Sequence, residues 1–197
     1  MIDLEAQLRL ISDELRLLGQ SFALVGGLAV SARAEPRLTR DADLAISVAG
    51  DAEAERLVYE LTARMYRVLA SVEQEATARL ATIRLAQGDS DGVVIDLLFA
   101  SSGIEPEIVA AATVLTVVPN LSLPVASVGH LIAMKLLARD DRRRPLDADD
   151  LRALRMVATD QDWTIADESV ALITERGFAR GRDLAVLLSG LRDSGAY

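Results

Sequence analysis

Two aspartates, Asp41 and Asp43, open the apolar run DADLAISV. In a strand, residues i and i+2 lie on one face. Their like charges would then stand close together at a cost, and a cation is needed to offset it. A third aspartate, Asp96, sits inside VVIDLLF with apolar neighbours on both sides. A carboxylate in such a run is expensive unless it is paired or bound to a metal. If the two strands are neighbours, the three carboxylates converge and make an oxygen-rich site for Mg²⁺ or Mn²⁺. Two such ions can activate an attacking hydroxyl and stabilise a leaving pyrophosphate. Without that convergence, Asp41 reads as a turn or strand-capping residue and Asp96 as the partner of a core arginine.

Gly26-Gly27 adds a second element. It follows the apolar stretch SFALV and precedes the helical stretch LAVSARAE, which stops before Pro36. Backbone N–H groups at a helix N-terminus bind phosphate, and glycine permits a close approach. On its own, a glycine pair after a strand is more often a tight turn.

These residues need elements to hold them. Residues 3–18 carry Leu4, Leu8, Ile11, Leu15 and Leu18 on one stripe, which predicts an amphipathic helix. DAEAERLVYELTARM predicts a helix with Asp51 as its N-cap. YRVLAS, ATARLATIRL and GVVIDLLFA predict strands, the last two joined as a hairpin through QGDSDG. TVLTVV and LSLPVA are further short extended segments. Beyond residue 127 the character changes: SVGHLIAMKLLARD, LDADDLRALRMVA, TIADESVALITERG and GRDLAVLLSGLRDS all read as helices. The expected organisation is an α/β core over 1–126 and a C-terminal helical unit over 127–197.

Composition narrows the class. The chain has 197 residues, is 51% hydrophobic and contains no cysteine, so disulfides and thiolate metal sites are excluded. No apolar run approaches the roughly 20 residues of a membrane span, and the acidic, amphipathic N-terminus lacks a signal-peptide core; a cytoplasmic location is expected. The net charge of −9 argues against broad non-specific nucleic-acid binding. Of the 21 basic residues, all but Lys135 are arginine.

The order strand, Gly-Gly, helix, Asp-x-Asp and later apolar-Asp-apolar resembles the nucleotidyltransferase superfamily related to DNA polymerase β. The resemblance rests on Val25-Gly26-Gly27, Asp41-Ala42-Asp43-Leu44 and Ile95-Asp96-Leu97. LVGGLAVSARAEPRLTRDADLAI is closer still to the AbiEii/AbiGii-type, MenT-like nucleotidyltransferase toxins, with Arg37, Thr39, Asp41 and Asp43 matching residue by residue. In HLIAMKLLARDDRRRPLDADDLRAL, Lys135, Asp147, Asp150, Leu151 and Leu154 match that family's later segment, while Leu146 stands where it usually has a basic residue.

The resemblance implies an α+β fold: a polymerase-β-type core with a mixed or antiparallel sheet, followed by the helical unit. It implies transfer of an NMP from an NTP to a hydroxyl acceptor, with tRNA 3′ ends as the known acceptor class and a cognate antitoxin as partner. Gly26 and Gly27, with Arg37 and Thr39, would hold the nucleotide. Asp41, Asp43 and Asp96 would hold Mg²⁺ or Mn²⁺, with Asp96 as base or metal ligand. Lys135 would neutralise phosphate charge, and Asp147 would orient it or another basic group. Two alternatives stand beside this reading: transfer to a small aminoglycoside-like molecule or a protein, and a catalytically silent nucleotide-binding module. His130, five residues before Lys135 and on another helix face, reads as structural, and Trp163 as packing material. Arg142, Arg143 and Arg144 read equally as a solvated loop or as contacts to an RNA backbone.

Overall fold

The structure is a computed structural model that describes residues 4–37, 39, 41–74, 77–88, 93–139 and 146–193. The arginine run at 142–144 and most of the turn at 87–92 lie outside these residues. In chain order the elements are α1 (Leu4–Leu17), β1 (Phe22–Val25), α2 (Gly26–Arg33), β2 (Asp41–Ile46), α3 (Asp51–Thr62), β3 (Tyr66–Glu73), β4 (Leu80–Gln87), β5 (Val94–Leu98), α4 (Glu105–Ala110), β6 (Thr113–Val118), β7 (Leu121–Val125), α5 (Val128–Ala138), α6 (Leu146–Val157), α7 (Asp160–Glu175) and α8 (Leu184–Asp193).

The strands form one mixed sheet in the order β3-β4-β5-β2-β1-β7-β6. β2 lies antiparallel to β1 and parallel to β5, while β3-β4, β4-β5 and β6-β7 are antiparallel pairs. All four residues of β1 are buried, which explains its unbroken apolar sequence. The edge strand β3 is exposed from Arg67 onward, and its Arg67 and Glu73 keep charge on that edge. The core is built from Leu8, Ile11 and Leu15 of α1, Leu24, Leu44, Ile46, Leu85, Ile95 and Leu97 of the inner strands, and Leu131, Ile132 and Leu136 of α5. α5 packs against α2, α6, α7 and α8, and so ties the helical half to the sheet. Among the described residues, no helix is long and apolar enough to cross a membrane.

Four details depart from the sequence reading. α2 begins on Gly26 rather than at Leu28, so the glycine pair forms the helix's first turn. Asp51 is not an N-cap; Gly50 precedes the helix, and the Asp51 carboxylate instead accepts from Arg79 Nε at 3.1 Å and Leu80 N at 3.2 Å. That contact ties α3 to the start of β4. α7 starts at Asp160, because Thr159 and Asp162 form a reciprocal capping box. α4 was not anticipated. Glu105 organises it: this buried carboxylate accepts from the backbone N–H groups of Ser101, Ser102 and Gly103 and from the Ser102 hydroxyl.

Candidate active site

The sheet register builds the site. Arg84 on β4 pairs with Asp96 on β5, Asp96 with Asp43 on β2, and Asp43 with Val25 on β1. These residues form one row across four strands, and directly registered neighbours project to the same face. Asp41 lies two positions before Asp43, opposite Val94. Together with Gly26, Thr82, Ser101, Ser102, Lys135 and Arg180, the row's residues and Asp41 line a cavity of about 310 Å³.

Asp96 faces this cavity and is also paired. Arg84 Nε donates to one carboxylate oxygen at 2.8 Å and its Nη2 to the other at 2.7 Å, a bidentate bridge. The Asp96 side chain is 12% exposed and that of Arg84 49%. The hydrogen bonds it donates to Asp96 raise the Arg84 guanidinium above its ordinary pKa. Burial opposes this, and the charges of Asp96, Asp41 and Asp43 add to it. Arg84 is thus bonded to Asp96 and is also a cation within electrostatic reach of Asp41 and Asp43.

Gly26 has a positive φ of 64°, and a Cβ placed on it would stand 1.9 Å from Asp43 Oδ2. A glycine is therefore required for two reasons: the left-handed backbone and the space that the carboxylate fills. Gly26→Ala is expected to lose about 1–3 kcal/mol of stability and to displace Asp43, so that transfer falls as well. Thermal denaturation and a transfer assay check this. A variant as stable and active as the wild type would rule out the packing described.

Lys135 comes to the cavity from α5. Its Nζ donates to Asp147 Oδ1 at 2.8 Å and lies 2.6 Å from Asp150 Oδ2, with the side chain only 7% exposed. Asp150, 1% exposed, also receives Arg37 through Nε at 2.6 Å and Nη2 at 2.9 Å. Burial alone would raise the Asp150 carboxyl, but the hydrogen bonds from Arg37 and Lys135 outweigh it and hold the group below its ordinary value. Arg37 in turn packs on Gly27, where a Cβ would come within 2.4 Å of its Nη2.

The sequence candidates thus divide by position. Gly26, Asp41, Asp43, Asp96 and Lys135 line the cavity. Gly27, Arg37 and Asp147 do not; they stand behind it in the network that fixes Lys135. Thr39 lies partly buried on the approach to β2. His130 lies in the first turn of α5, capped by Ser127, whose Oγ is 2.8 Å from its Nδ1 and accepts from its backbone N–H. Trp163 packs against the core with the Arg192 guanidinium 5.1 Å above its ring.

Arg84, Arg180 and the linking role of Asp150 escaped the sequence reading. For Arg84 a signal existed: folding the hairpin symmetrically about residue 90 sets it opposite Asp96. Arg180 had none. It arrives on the turn after α7, at a φ of 54°, and donates to the Ser101 carbonyl at 2.9 Å.

The donor set bears on a divalent metal. Among the described residues, no three His, Cys, Asp or Glu side chains are gathered closely enough to hold an ion as they stand. The carboxylates of Asp41 and Asp43 offer the all-oxygen donors that Mg²⁺ and Mn²⁺ prefer. Those of Asp96 become available only where Arg84 gives them up. The residue types fit such an ion, and in this structure the Asp96 carboxylate is engaged by Arg84.

The family model described as nucleotidyl transferase AbiEii toxin, type IV TA system, matches residues 9–192. The chain belongs to this AbiEii family. It is therefore a nucleotidyltransferase of the toxin–antitoxin type, and its substrate is an NTP. No curated protein sequence matches this AbiEii member significantly. Among solved structures, an antigenic nucleotidyltransferase-like protein from Paracoccidioides brasiliensis is 18% identical, with 91% of this chain and 89% of that one covered and a TM-score of 0.49. The antibiotic-resistance factor ANT(2'')-Ia is similar in two structures. Its solution structure is 19% identical over 94% of this chain and 86% of that one, at a TM-score of 0.46. Its complex with adenylyl-2''-tobramycin is 18% identical over 96% and 99%, at 0.48. At such values the likeness carries no weight for the substrate of the AbiEii member.

Proposed function

We propose that this AbiEii enzyme moves an NMP from an NTP to the 3′ hydroxyl of a tRNA, as the toxin of a toxin–antitoxin pair in the cytoplasm. The row Arg84-Asp96-Asp43-Val25, opening beside Gly26 and Lys135 in one cavity, is the observation that supports the chemistry. The substrate cleft then lies where the core over 1–126 meets the helical unit over 127–197.

In this reading Asp41 and Asp43, joined by Asp96, hold Mg²⁺ or Mn²⁺. When bound, the ion supplies charge neutralisation at the transferring phosphoryl group and lowers the pKa of the attacking hydroxyl. The chain's own residues do the rest. The N-terminal turn of α2, which has no side-chain cap and no acidic residue, presents N–H groups to the nucleotide phosphates. Lys135 supplies a fixed positive charge that Asp147 and Asp150 hold in place, so little reorganisation is needed as charge develops. Asp96 accepts the proton of the acceptor hydroxyl. The bond formed joins the acceptor oxygen to the α-phosphorus, the bond broken joins that phosphorus to the β-phosphate bridge, and pyrophosphate leaves.

The strong acidity of the chain, −9 overall, favours a second acceptor class, a small cationic molecule drawn by negative potential. One experiment separates the two. The protein is incubated with each α-labelled NTP and Mg²⁺, with tRNA, with a polycationic amino sugar, or with neither. Label entering tRNA at its 3′ end is the expected result. Label entering only the amino sugar would overturn the tRNA assignment, and pyrophosphate release in no arm would overturn transfer itself.

A further inference from the structure

We propose that Arg84 competes with the divalent cation for the Asp96 carboxylate, so that the cation binds only by displacing the guanidinium. The inference rests on the metal-dependent reading of the site. Arg84 engages both oxygens of Asp96 at 2.7 and 2.8 Å, which leaves that carboxylate committed along its two strongest directions. A cation bound to Asp43 would stand beside the same carboxylate, because Asp43 and Asp96 are register partners on adjacent parallel strands. Two cations cannot share that place. The guanidinium has somewhere to go: its side chain is half-exposed and lines the cavity, whereas Asp96 is nearly buried and fixed on β5.

The pairing does two things. It offsets one of the cluster's three negative charges while no metal is bound, and so supports the folded chain without one. It also sets a threshold for the ion, since a bidentate charge-assisted pair must be broken first. Once displaced, Arg84 remains inside the cavity as a mobile cation next to the bound nucleotide.

Mn²⁺ binding read by electron paramagnetic resonance, without nucleotide or turnover, tests this. Arg84→Met removes the charge and keeps much of the aliphatic stem. Its Mn²⁺ affinity is expected to rise about tenfold over wild type, given the strength of hydrogen bonds to charged groups. In EDTA its thermal stability should fall below that of wild type, and Mn²⁺ should restore it. Removing any positive charge near a metal site raises affinity somewhat, so the same substitution is made in an Asp96→Asn background. There the gain should shrink to twofold or less, because the contested carboxylate is gone. An equal gain in both backgrounds would mean that Arg84 acts through space alone, and would overturn the competition. Unchanged affinity in Arg84→Met would overturn it too, while leaving the metal reading intact if Asp43→Asn abolishes Mn²⁺ binding. If neither wild type nor Arg84→Met binds Mn²⁺ at millimolar concentration, the metal reading itself fails and the competition with it.

Discussion

Asp43→Asn is expected to lower nucleotidyl transfer by at least about 10²–10³-fold, the scale on which removal of one preorganised electrostatic group slows a reaction, while leaving the fold intact. The substitution preserves shape beside Gly26, where the Oδ2 position is already tightly filled. It also removes one of two carboxylates that stand in register on adjacent strands, which relieves like-charge repulsion. The melting temperature should therefore stay level or rise. A loss of function without a loss of stability is the mark of a residue kept for chemistry rather than packing. Transfer within tenfold of wild type, in a well-folded variant, would remove Asp43 from the reaction.

Asp150→Ala should do the reverse and damage the fold first. The Asp150 carboxylate is buried and binds both Lys135 and Arg37. Its removal takes away one of the two carboxylates of Lys135 and the bidentate partner of Arg37, and breaking a buried pair in this way costs about 3–5 kcal/mol. Chemical denaturation measures it, and a loss under about 1 kcal/mol would show the network to be dispensable. The same group carries an acid signature. Its carboxyl is held below its ordinary value in the folded protein, so its contribution to stability is complete above about pH 4. That contribution drains away as the pH falls through the lower, folded value. In Asp150→Asn the corresponding fall in stability on the acid side should disappear, so the two curves converge at low pH.

What could be read in advance was local. Asp41 and Asp43 share a face because a strand alternates, and the apolar flanks of Asp96 mark it as exceptional without any knowledge of its neighbours. The Gly-Gly pair was visible as a special backbone, yet the side chains it accommodates, Asp43 and Arg37, were not. Closing the Arg37–Asp150–Lys135 network needs the approach to β2, helix α5 and helix α6 to meet, and no spacing rule encodes that. α4 escaped because it has only six residues, too few to show a helical period; its buried glutamate looks from the sequence like any surface acid. Arg84 lay between the two cases. Its partner followed from hairpin symmetry, but nineteen other arginines of similar appearance hid it.

The link between Arg37 and Asp150 spans 113 positions along the chain, which bears on the protein's biosynthesis. A ribosome adds about 5–20 residues per second, so the N-terminal sheet can emerge and begin to pair several seconds before α6 exists. Throughout that interval Arg37 lacks the acid that seats it, whereas Lys135 is made only 12 positions before Asp147. A nascent or prematurely ended chain that stops short of α6 therefore carries the aspartates without a seated lysine. On the proposed role of Lys135, transfer therefore waits until α6 has been made.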